Sequence, residues 1–151
     1  MIVVVQRVSS ASVSVHNKTI AKIGHGLLLL VGIAETDIEA DIEYVANKCA
    51  MLRIFQDEQG KLNRSVIDEQ GAILVISQFT LLGDTRKGRR PNFTAAASPE
   101  KGQILYEYFI SCLKVYNLPV ESGIFGSMMD VSLTNVGPVT VLVKSKDKTH
   151  V

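Results

Sequence analysis

Two hydroxyl groups and an amide stand together at the end of an apolar run in the middle of the chain. The run at residues 72–76 is continuous and aliphatic, as expected of a strand buried on both faces. Four residues follow it: Ser77, Gln78, Phe79 and Thr80. Polar groups at such a strand end can donate hydrogen bonds to a substrate or to the oxyanion of a transition state. They can equally cap the next turn, because Ser and Thr there often bond to nearby backbone.

A Gly-Pro pair interrupts a second apolar segment, "LTNVGPVTVLVKS" at residues 133–145. Glycine weakens a strand and proline has no N–H to donate to a ladder. Gly137 and Pro138 therefore predict either a β-bulge or a point where backbone closely approaches a ligand. In the second case, main-chain carbonyls can line a pocket and select a ligand by shape.

Four cations lie close together in "DTRKGRRPNF" at residues 84–93: Arg86, Lys87, Arg89 and Arg90. Guanidinium groups make bidentate, charge-assisted contacts with phosphate, so this loop predicts either a phosphate contact or a solvated surface. It lacks the spacing of a Walker loop. The formal net charge of +1 gives no broad positive field, so any RNA contact is expected to be focal.

The remaining reactive side chains show no catalytic or metal-binding pattern. His16, His25 and His150 have no nucleophile motif beside them, so a histidine-based triad is not expected. Zinc and EF-hand spacings are absent, and we expect neither a metal nor a cofactor. Cys49 and Cys112 occupy apolar positions of helical patterns, which favours reduced thiols and the cytoplasm. We expect neither export nor membrane insertion, since the sequence shows no signal peptide and no spanning apolar run.

The elements that must position these groups form one α+β domain over residues 1–151. With 46% hydrophobic residues and no linker or repeat, the chain predicts a single compact core. Residues 2–15, 20–23 and 27–33 have the patterns of antiparallel strands. We therefore expect mixed or antiparallel, barrel-like sheets with two main helices.

Capping signals mark the starts of both helices. Thr36 and Glu39 have the spacing of a capping box before a helical apolar pattern at residues 38–51. Ser98 and Pro99 are suited to the N-cap and the first position of a second helix.

Four motifs together resemble those of the D-aminoacyl-tRNA deacylases, also called D-tyrosyl-tRNA deacylases. They are "QRVSSASV" at residues 6–13, "SQFTL" at 77–81, "DTRKGRRP" at 84–91 and "NVGPVT" at 135–140. The resemblance covers essentially the whole chain. It implies a homodimer in which a cis Gly-Pro pair of one subunit reaches into the active site of the other.

The same resemblance implies an activity. The enzyme would hydrolyse the ester bond of D-aminoacyl-tRNA to free tRNA and a D-amino acid, as a step of translation quality control. Main-chain atoms of the Gly-Pro pair would collide with an L side chain, whereas a D side chain would point away. Glycine has no side chain that could collide with the pair, so glycine mischarged on tRNA(Ala) is expected to form a second substrate.

The family's site residues carry over by motif. The catalytic group is Ser77, Gln78, Phe79 and Thr80, and the substrate-binding group is Arg7, Phe125, Met129, Gly137 and Pro138. The cations at residues 86–90 would hold phosphates of the acceptor stem, which position a complex without reading its sequence. One departure is Val136, where the family often has aspartate.

Two mechanisms and two other functions stay open. In the first mechanism, main-chain N–H groups near Phe79 and Thr80 hold the oxyanion, and the terminal ribose 2′-hydroxyl helps to activate water. In the second, Thr80 is a nucleophile, although its motif contains no base to activate it. A non-catalytic RNA-binding module would bind RNA without turnover and tolerate Gly137→Ala. A Ser/Thr hydrolase of small esters would need no RNA.

Overall fold

The computed structural model describes residues 1–145, and His150 therefore lies outside the described residues. Within that range there are two α-helices, α1 (Glu39–Met51) and α2 (Pro99–Lys114). The strands are β1 (Ile2–Val15), β2 (Lys18–Ile23), β3 (Gly26–Gly32), β4 (Phe55–Gln56), β5 (Leu62–Arg64), β6 (Ala72–Ser77), β7 (Val120–Ser122) and β8 (Asp130–Lys144). A short 3₁₀ turn, Phe79–Leu82, follows β6.

The main sheet is built on β1, which is long enough to pair along both edges. β8 runs antiparallel to β1 along one edge, while β3 and β2 pair antiparallel with its first and second halves. β6 lies parallel to β3, and β7 lies parallel to β6. Because β2 also contacts β6 and β7, the sheet curls towards closure. The predicted α+β fold with a mixed, barrel-like sheet and two helices is confirmed.

Both faces of the central strands are buried. Successive side chains of a strand point to opposite faces, and in β3 Leu27 and Leu29 pack towards the helices while Leu28 packs on the other side. The second face is covered by β2 and the second half of β1. This arrangement explains why β6 is a continuous apolar run without alternation.

The predicted start of α2 is confirmed. Ser98 is the N-cap, and its hydroxyl accepts a hydrogen bond from the N–H of Lys101 at 3.3 Å. Pro99 occupies the first turn, where its missing N–H leaves no intrahelical bond unmade. Leu105 and Phe109 on the inner face are buried against the sheet. This end of the helix borders the cavity described below.

The capping box predicted for α1 is wrong, because different residues cap the helix. The helix begins at Glu39 with Ile38 as N-cap, and the carboxylate of Asp41 accepts a hydrogen bond from the Ile38 N–H at 3.0 Å. Thr36 instead belongs to a turn that Asp37 closes by accepting from the N–H of Ala34 at 2.7 Å. The turn delays the start of the helix beyond the predicted cap.

Asp37 also ties the two ends of the described chain together. The α-amino group of Met1 donates to Asp37 Oδ1 at 2.6 Å and to Ser145 Oγ at 2.8 Å. The side chains of Met1 and Asp37 are buried, and removing one partner of a buried ion pair typically costs about 3–5 kcal/mol. The pair therefore fixes the turn that precedes α1.

Both cysteines are free thiols. Cys49 is fully buried on α1, and burial raises its pKa to about 12. Cys112 on α2 is half-buried, and burial likewise raises its pKa. Among residues 1–145, no helix has the length and apolar character needed to cross a membrane.

Candidate active site

A cavity of about 650 Å³ opens at the carboxyl ends of β3 and β6. Its walls come from those strand ends, the 3₁₀ turn, the segment before α2, the first half of α2 and the loop between β7 and β8. The cavity therefore forms where two parallel strands end, a common location for ligand sites in such sheets.

The polar motif after β6 lies at this cavity. Ser77, Gln78 and Phe79 line it, whereas Thr80 does not. The N–H of Gln78 extends the ladder to β3 by donating to the carbonyl of Val31 at 2.7 Å. The side chain of Gln78 donates from Nε2 to the hydroxyl oxygen of Thr80 at 2.5 Å. The Thr80 hydroxyl oxygen therefore accepts a hydrogen bond within the same motif, and no base contacts this hydroxyl among the described residues.

The backbone of the 3₁₀ turn presents free donors. Phe79 and Thr80 are its first two residues, so their N–H groups have no partner inside the turn. Over the part of the chain that is described, neither N–H has another backbone or side-chain acceptor. Two adjacent N–H groups at a cavity can hold one oxyanion.

Two glycines that the sequence analysis missed hold this turn in place. A Cβ on Gly32 would lie 3.1 Å from the carbonyl oxygen of Gln78, and one on Gly83 would lie 2.9 Å from Phe93 Cε1. The Phe93 ring in turn meets Phe79 edge-on, with ring centroids 5.3 Å apart. Both glycines are therefore needed for close packing around the turn. The sequence alone does not show which glycines have this role.

The opposite wall contains the two predicted residues from the β7–β8 loop. Phe125 and Met129 both line the cavity. Phe125 packs over Gly102, where a Cβ would approach its ring to 3.3 Å, and Tyr106 of α2 lies beside it with centroids 5.6 Å apart. The Tyr106 hydroxyl donates to the carbonyl of Val75 at 2.9 Å, and burial raises its pKa well above the usual range. Sequence analysis missed Gly102 and Tyr106 because neither belongs to a polar motif.

The Gly-Pro pair lies on a bulge of β8. Gln6 pairs with Thr140 and Val8 with Asn135, so residues 136–139 stand opposite a single residue of β1. The bulge that the sequence predicted is therefore present. The side chain of Asn135 holds the base of this bulge loop, since its Oδ1 accepts from the N–H of residue 139 at 3.0 Å.

Arg7 is the single β1 residue opposite the bulge, and it packs behind the loop. Its Nε donates to the carbonyl of Val136 at 3.0 Å, and its Nη1 donates to the carbonyl of Ile54 at 2.9 Å. The Gly137–Pro138 peptide bond is cis. Gly137 has φ +122°, and a Cβ there would lie 2.7 Å from Arg7 Nη2. Glycine is thus required first by the backbone conformation of its own chain, and Arg7 Nη2 would have to move to admit a Cβ.

The basic loop closes on itself beside the cavity. Asp84 and Asn92 form a backbone bridge across its base, and the next residue, Phe93, lines the cavity. Arg86 makes a forked pair with Asp84, with Nε–Oδ1 at 2.9 Å and Nη2–Oδ2 at 2.7 Å. This hydrogen-bonded pair lowers the pKa of Asp84 to about 2. Arg86 is therefore committed to the loop itself.

Three other cations of the loop are exposed: Lys87, Arg89 and Arg90. Among the residues described, none of them forms an ion pair within 4.0 Å. They are the members of the predicted phosphate site whose charge is available to a partner.

The predicted site residues fall into two groups within one chain. Ser77, Gln78, Phe79, Phe125 and Met129 surround the cavity. The three residues of the Gly-Pro site, Arg7, Gly137 and Pro138, lie apart from its lining. Across residues 1–145, no group of three His, Cys, Asp or Glu side chains is placed to hold a metal ion.

Comparisons with known proteins match nearly the full chain. The family model described as D-Tyr-tRNA(Tyr) deacylase matches residues 4–144. The D-aminoacyl-tRNA deacylase of Brevibacillus brevis is 58% identical over 96% of this chain and 100% of the relative. The D-aminoacyl-tRNA deacylase of Shouchella clausii is 56% identical over 97% of this chain and 100% of its own.

Two solved structures share the fold. The c-Myc DNA Unwinding Element Binding Protein has a TM-score of 0.91 and 39% identity, covering 97% of this chain and 100% of the other. A probable eukaryotic D-amino acid tRNA deacylase has a TM-score of 0.80 at 18% identity, covering 94% of this chain and 97% of the other. The second likeness is one of fold alone.

Proposed function

Because the chain belongs to the D-aminoacyl-tRNA deacylase family, we propose that it hydrolyses the ester bond of D-aminoacyl-tRNA to free tRNA and a D-amino acid, as a cytoplasmic step of translation quality control. The observation that carries this proposal is the cavity at the end of β6, which is bordered by a 3₁₀ turn whose first two N–H groups, those of Phe79 and Thr80, have no acceptor among the described residues. A tetrahedral ester intermediate needs such donors.

The cavity is suited to the end of a tRNA. Its volume of about 650 Å³ lies within the range of pockets that enclose a whole small ligand. It accommodates the terminal nucleoside together with the esterified amino acid. The exposed cations Lys87, Arg89 and Arg90 belong to the loop that closes next to Phe93 in the cavity wall, and in this proposal they meet acceptor-stem phosphates.

The proposed mechanism uses few side chains. A water molecule, activated with help from the ribose 2′-hydroxyl, attacks the ester carbonyl carbon, and the electron pair moves to the carbonyl oxygen. The N–H groups of Phe79 and Thr80 hold that oxyanion until the bond to the ribose oxygen breaks and this oxygen takes a proton. The side chain that contacts the Thr80 hydroxyl is the amide of Gln78, which donates to it and cannot take its proton; this supports the proposed mechanism over a Thr80 nucleophile.

The mechanism is tested by Thr80→Ala in single-turnover hydrolysis of D-tyrosyl-tRNA. We expect a rate within about threefold of wild type, since the backbone N–H remains. A loss of several orders of magnitude would establish the nucleophile instead. Turnover of a model ester without RNA would favour the Ser/Thr hydrolase, and RNA binding without turnover would favour the binding module.

A homodimer completes the site in this proposal. The bulge loop lies apart from the cavity of its own chain, and Gly137 and Pro138 are exposed. Exposed apolar side chains line the same strand and the mouth of the cavity: Leu133, Val136, Leu142 and Met128. In a twofold dimer, one surface serves both subunits, so each loop can enter the other subunit's cavity. There the cis Gly-Pro pair excludes an L side chain and admits D-amino acids and glycine.

Mixed dimers test this arrangement directly. Gly102→Leu fills the cavity wall near Phe125, while Gly137→Ala disturbs the bulge loop. If loop and cavity come from different subunits, equal mixing of the two inactive variants restores about a quarter of the wild-type sites, because half of the dimers are mixed and each has one intact site. No restoration, with mixed dimers verified by mass spectrometry, would contradict the shared site. Glycyl-tRNA(Ala) hydrolysis by wild type tests the second substrate.

A further inference from the structure

Arg7 is a buried cation without a charged partner. Only 9% of the residue is exposed. Its two hydrogen-bond acceptors, the carbonyls of Val136 and Ile54, are neutral. Among residues 1–145, no carboxylate lies within 4.0 Å of its guanidinium group.

Two other arginines of the chain show the opposite arrangement. Arg86 and Arg64 are well exposed, yet each pairs with a carboxylate, that of Asp84 and that of Glu69. Burying a charge is costly unless it is paired, and the cost is larger than that of burying a neutral donor. Neutral donors would suffice to bind two carbonyls. The bulge loop therefore explains the hydrogen bonds of Arg7 but not its charge.

The position of the charge indicates its use. Arg7 Nη2 lies directly behind Gly137, at 2.7 Å from where a Cβ would stand. In the proposed function, which this inference rests on, the other side of Gly137 meets the α-carbon of the substrate in the second subunit. The ester carbonyl is bonded to that carbon. In that arrangement Gly137 stands between the guanidinium group and the α-carbon, which is one bond away from the carbonyl carbon where the oxyanion develops.

We propose that Arg7 of one subunit supplies positive charge that stabilises the oxyanion in the cavity of the other. Arg7 remains protonated throughout and transfers no proton; the negative charge forms as water adds to the carbonyl carbon. Two unit charges ~7 Å apart at an effective dielectric constant of ~20 change a rate by on the order of 10- to 50-fold. Arg7 is therefore a positioning residue for the loop and an electrostatic one for the reaction.

Chemical rescue separates these two roles. Arg7→Ala leaves a space of guanidinium shape, which guanidinium or urea can enter; both are planar hydrogen-bond donors, and only guanidinium is charged. Single-turnover hydrolysis of D-tyrosyl-tRNA is measured with each at about 50 mM, far below denaturing concentration, against sodium chloride at the same ionic strength. We expect Arg7→Ala to be about 100-fold slower than wild type, guanidinium to restore at least about tenfold, and urea no more than about threefold.

The charge role of Arg7 and the deacylase activity can fail separately in this experiment. Equal rescue by urea and guanidinium, or a wild-type rate for Arg7→Ala, would overturn the charge role while wild-type hydrolysis still supports the deacylase. An inactive wild type would overturn both.

A second pair of variants applies if Arg7→Ala fails to fold. Arg7→Lys keeps the charge, Arg7→Gln keeps a neutral donor, and Arg64→Gln removes an exposed positive charge from a distant ion pair. The charge role predicts that, at saturating enzyme, Arg7→Lys is at least about tenfold faster than Arg7→Gln and that Arg64→Gln matches wild type. Equal rates for Arg7→Lys and Arg7→Gln would contradict it.

Discussion

Replacing Gly137 by alanine tests the construction of the bulge loop. The residue has φ +122°, a conformation that L side chains rarely adopt. The added Cβ would also lie 2.7 Å from Arg7 Nη2 and 3.0 Å from Val139 Cγ2. The substitution therefore combines backbone strain with a clash against the side chain that holds the loop.

Backbone strain and the clash together determine the expected loss of stability. Backbone strain of this kind costs on the order of 1–3 kcal/mol, and overpacking adds about 1–3 kcal/mol. The free energy of unfolding should fall by about 2–6 kcal/mol. At roughly 2–4 °C per kcal/mol for a chain of this size, Tm falls by about 4–24 °C. Hydrolysis should fall more steeply, by about 100-fold, because a displacement of ~1 Å near the reacting centre has that effect.

Gly60→Ala is the matched control for backbone strain. Gly60 has φ +77° in the β4–β5 turn, and a Cβ there would meet nothing within 4 Å. This variant should lose only about 1–2 kcal/mol and keep the wild-type rate. Thermal unfolding and single-turnover hydrolysis of D-tyrosyl-tRNA are measured for both. A Gly137→Ala protein that matches Gly60→Ala in Tm and wild type in rate would refute the reasoning.

Three further results are expected. Charge reversal of Arg89 and Arg90 to Glu should raise KM and reduce the dependence of KM on salt concentration, with kcat little changed. An unchanged salt dependence would mean that the loop does not contact tRNA phosphates. Asp37→Asn should lower the free energy of unfolding in urea by about 3–5 kcal/mol, because it leaves the buried α-amino group of the first residue without its carboxylate; an unchanged midpoint would contradict that pair. The Arg86 side chain lowers the pKa of the Asp84 carboxyl from 3.8 to about 2. The ionised carboxylate should therefore stabilise the closed loop above pH 3.8, and this stabilisation should be lost as the pH falls towards 2. A carbon-13 NMR titration of Asp84 should find a midpoint near pH 2, and a midpoint that Arg86→Gln does not change would argue against the forked pair.

Several elements could be predicted because their physical causes are local. A continuous apolar run at residues 72–76 predicted a strand buried on both faces, and the structure covers β6 on both. The missing N–H of Pro138 predicted the bulge, and residues 136–139 form it. Ser98 and Pro99 predicted the start of α2 because a cap depends on only a few neighbouring residues.

Other features depend on partners distant in sequence. Thr36 and Glu39 have the right spacing for a cap, but Asp37 closes a different turn through contacts with the start of the chain. The acceptors of Arg7 are backbone carbonyls, which every residue has, so no side-chain pattern predicts them. In the sequence, Gly32 is likewise indistinguishable from any glycine at a strand end. Its role depends on the turn after β6, which packs against it in the folded chain. Such long-range contacts require the folded chain.

The most direct test of the central claim is hydrolysis of D-tyrosyl-tRNA against L-tyrosyl-tRNA by the purified protein. The two esters have the same tRNA and differ only in configuration at the α-carbon, so the ratio of their single-turnover rates, each corrected for hydrolysis in buffer alone, reports how the site handles that carbon. The proposed site predicts rapid hydrolysis of the D ester and a rate for the L ester at the level of buffer alone. Equal hydrolysis of both esters, or of neither, would contradict it.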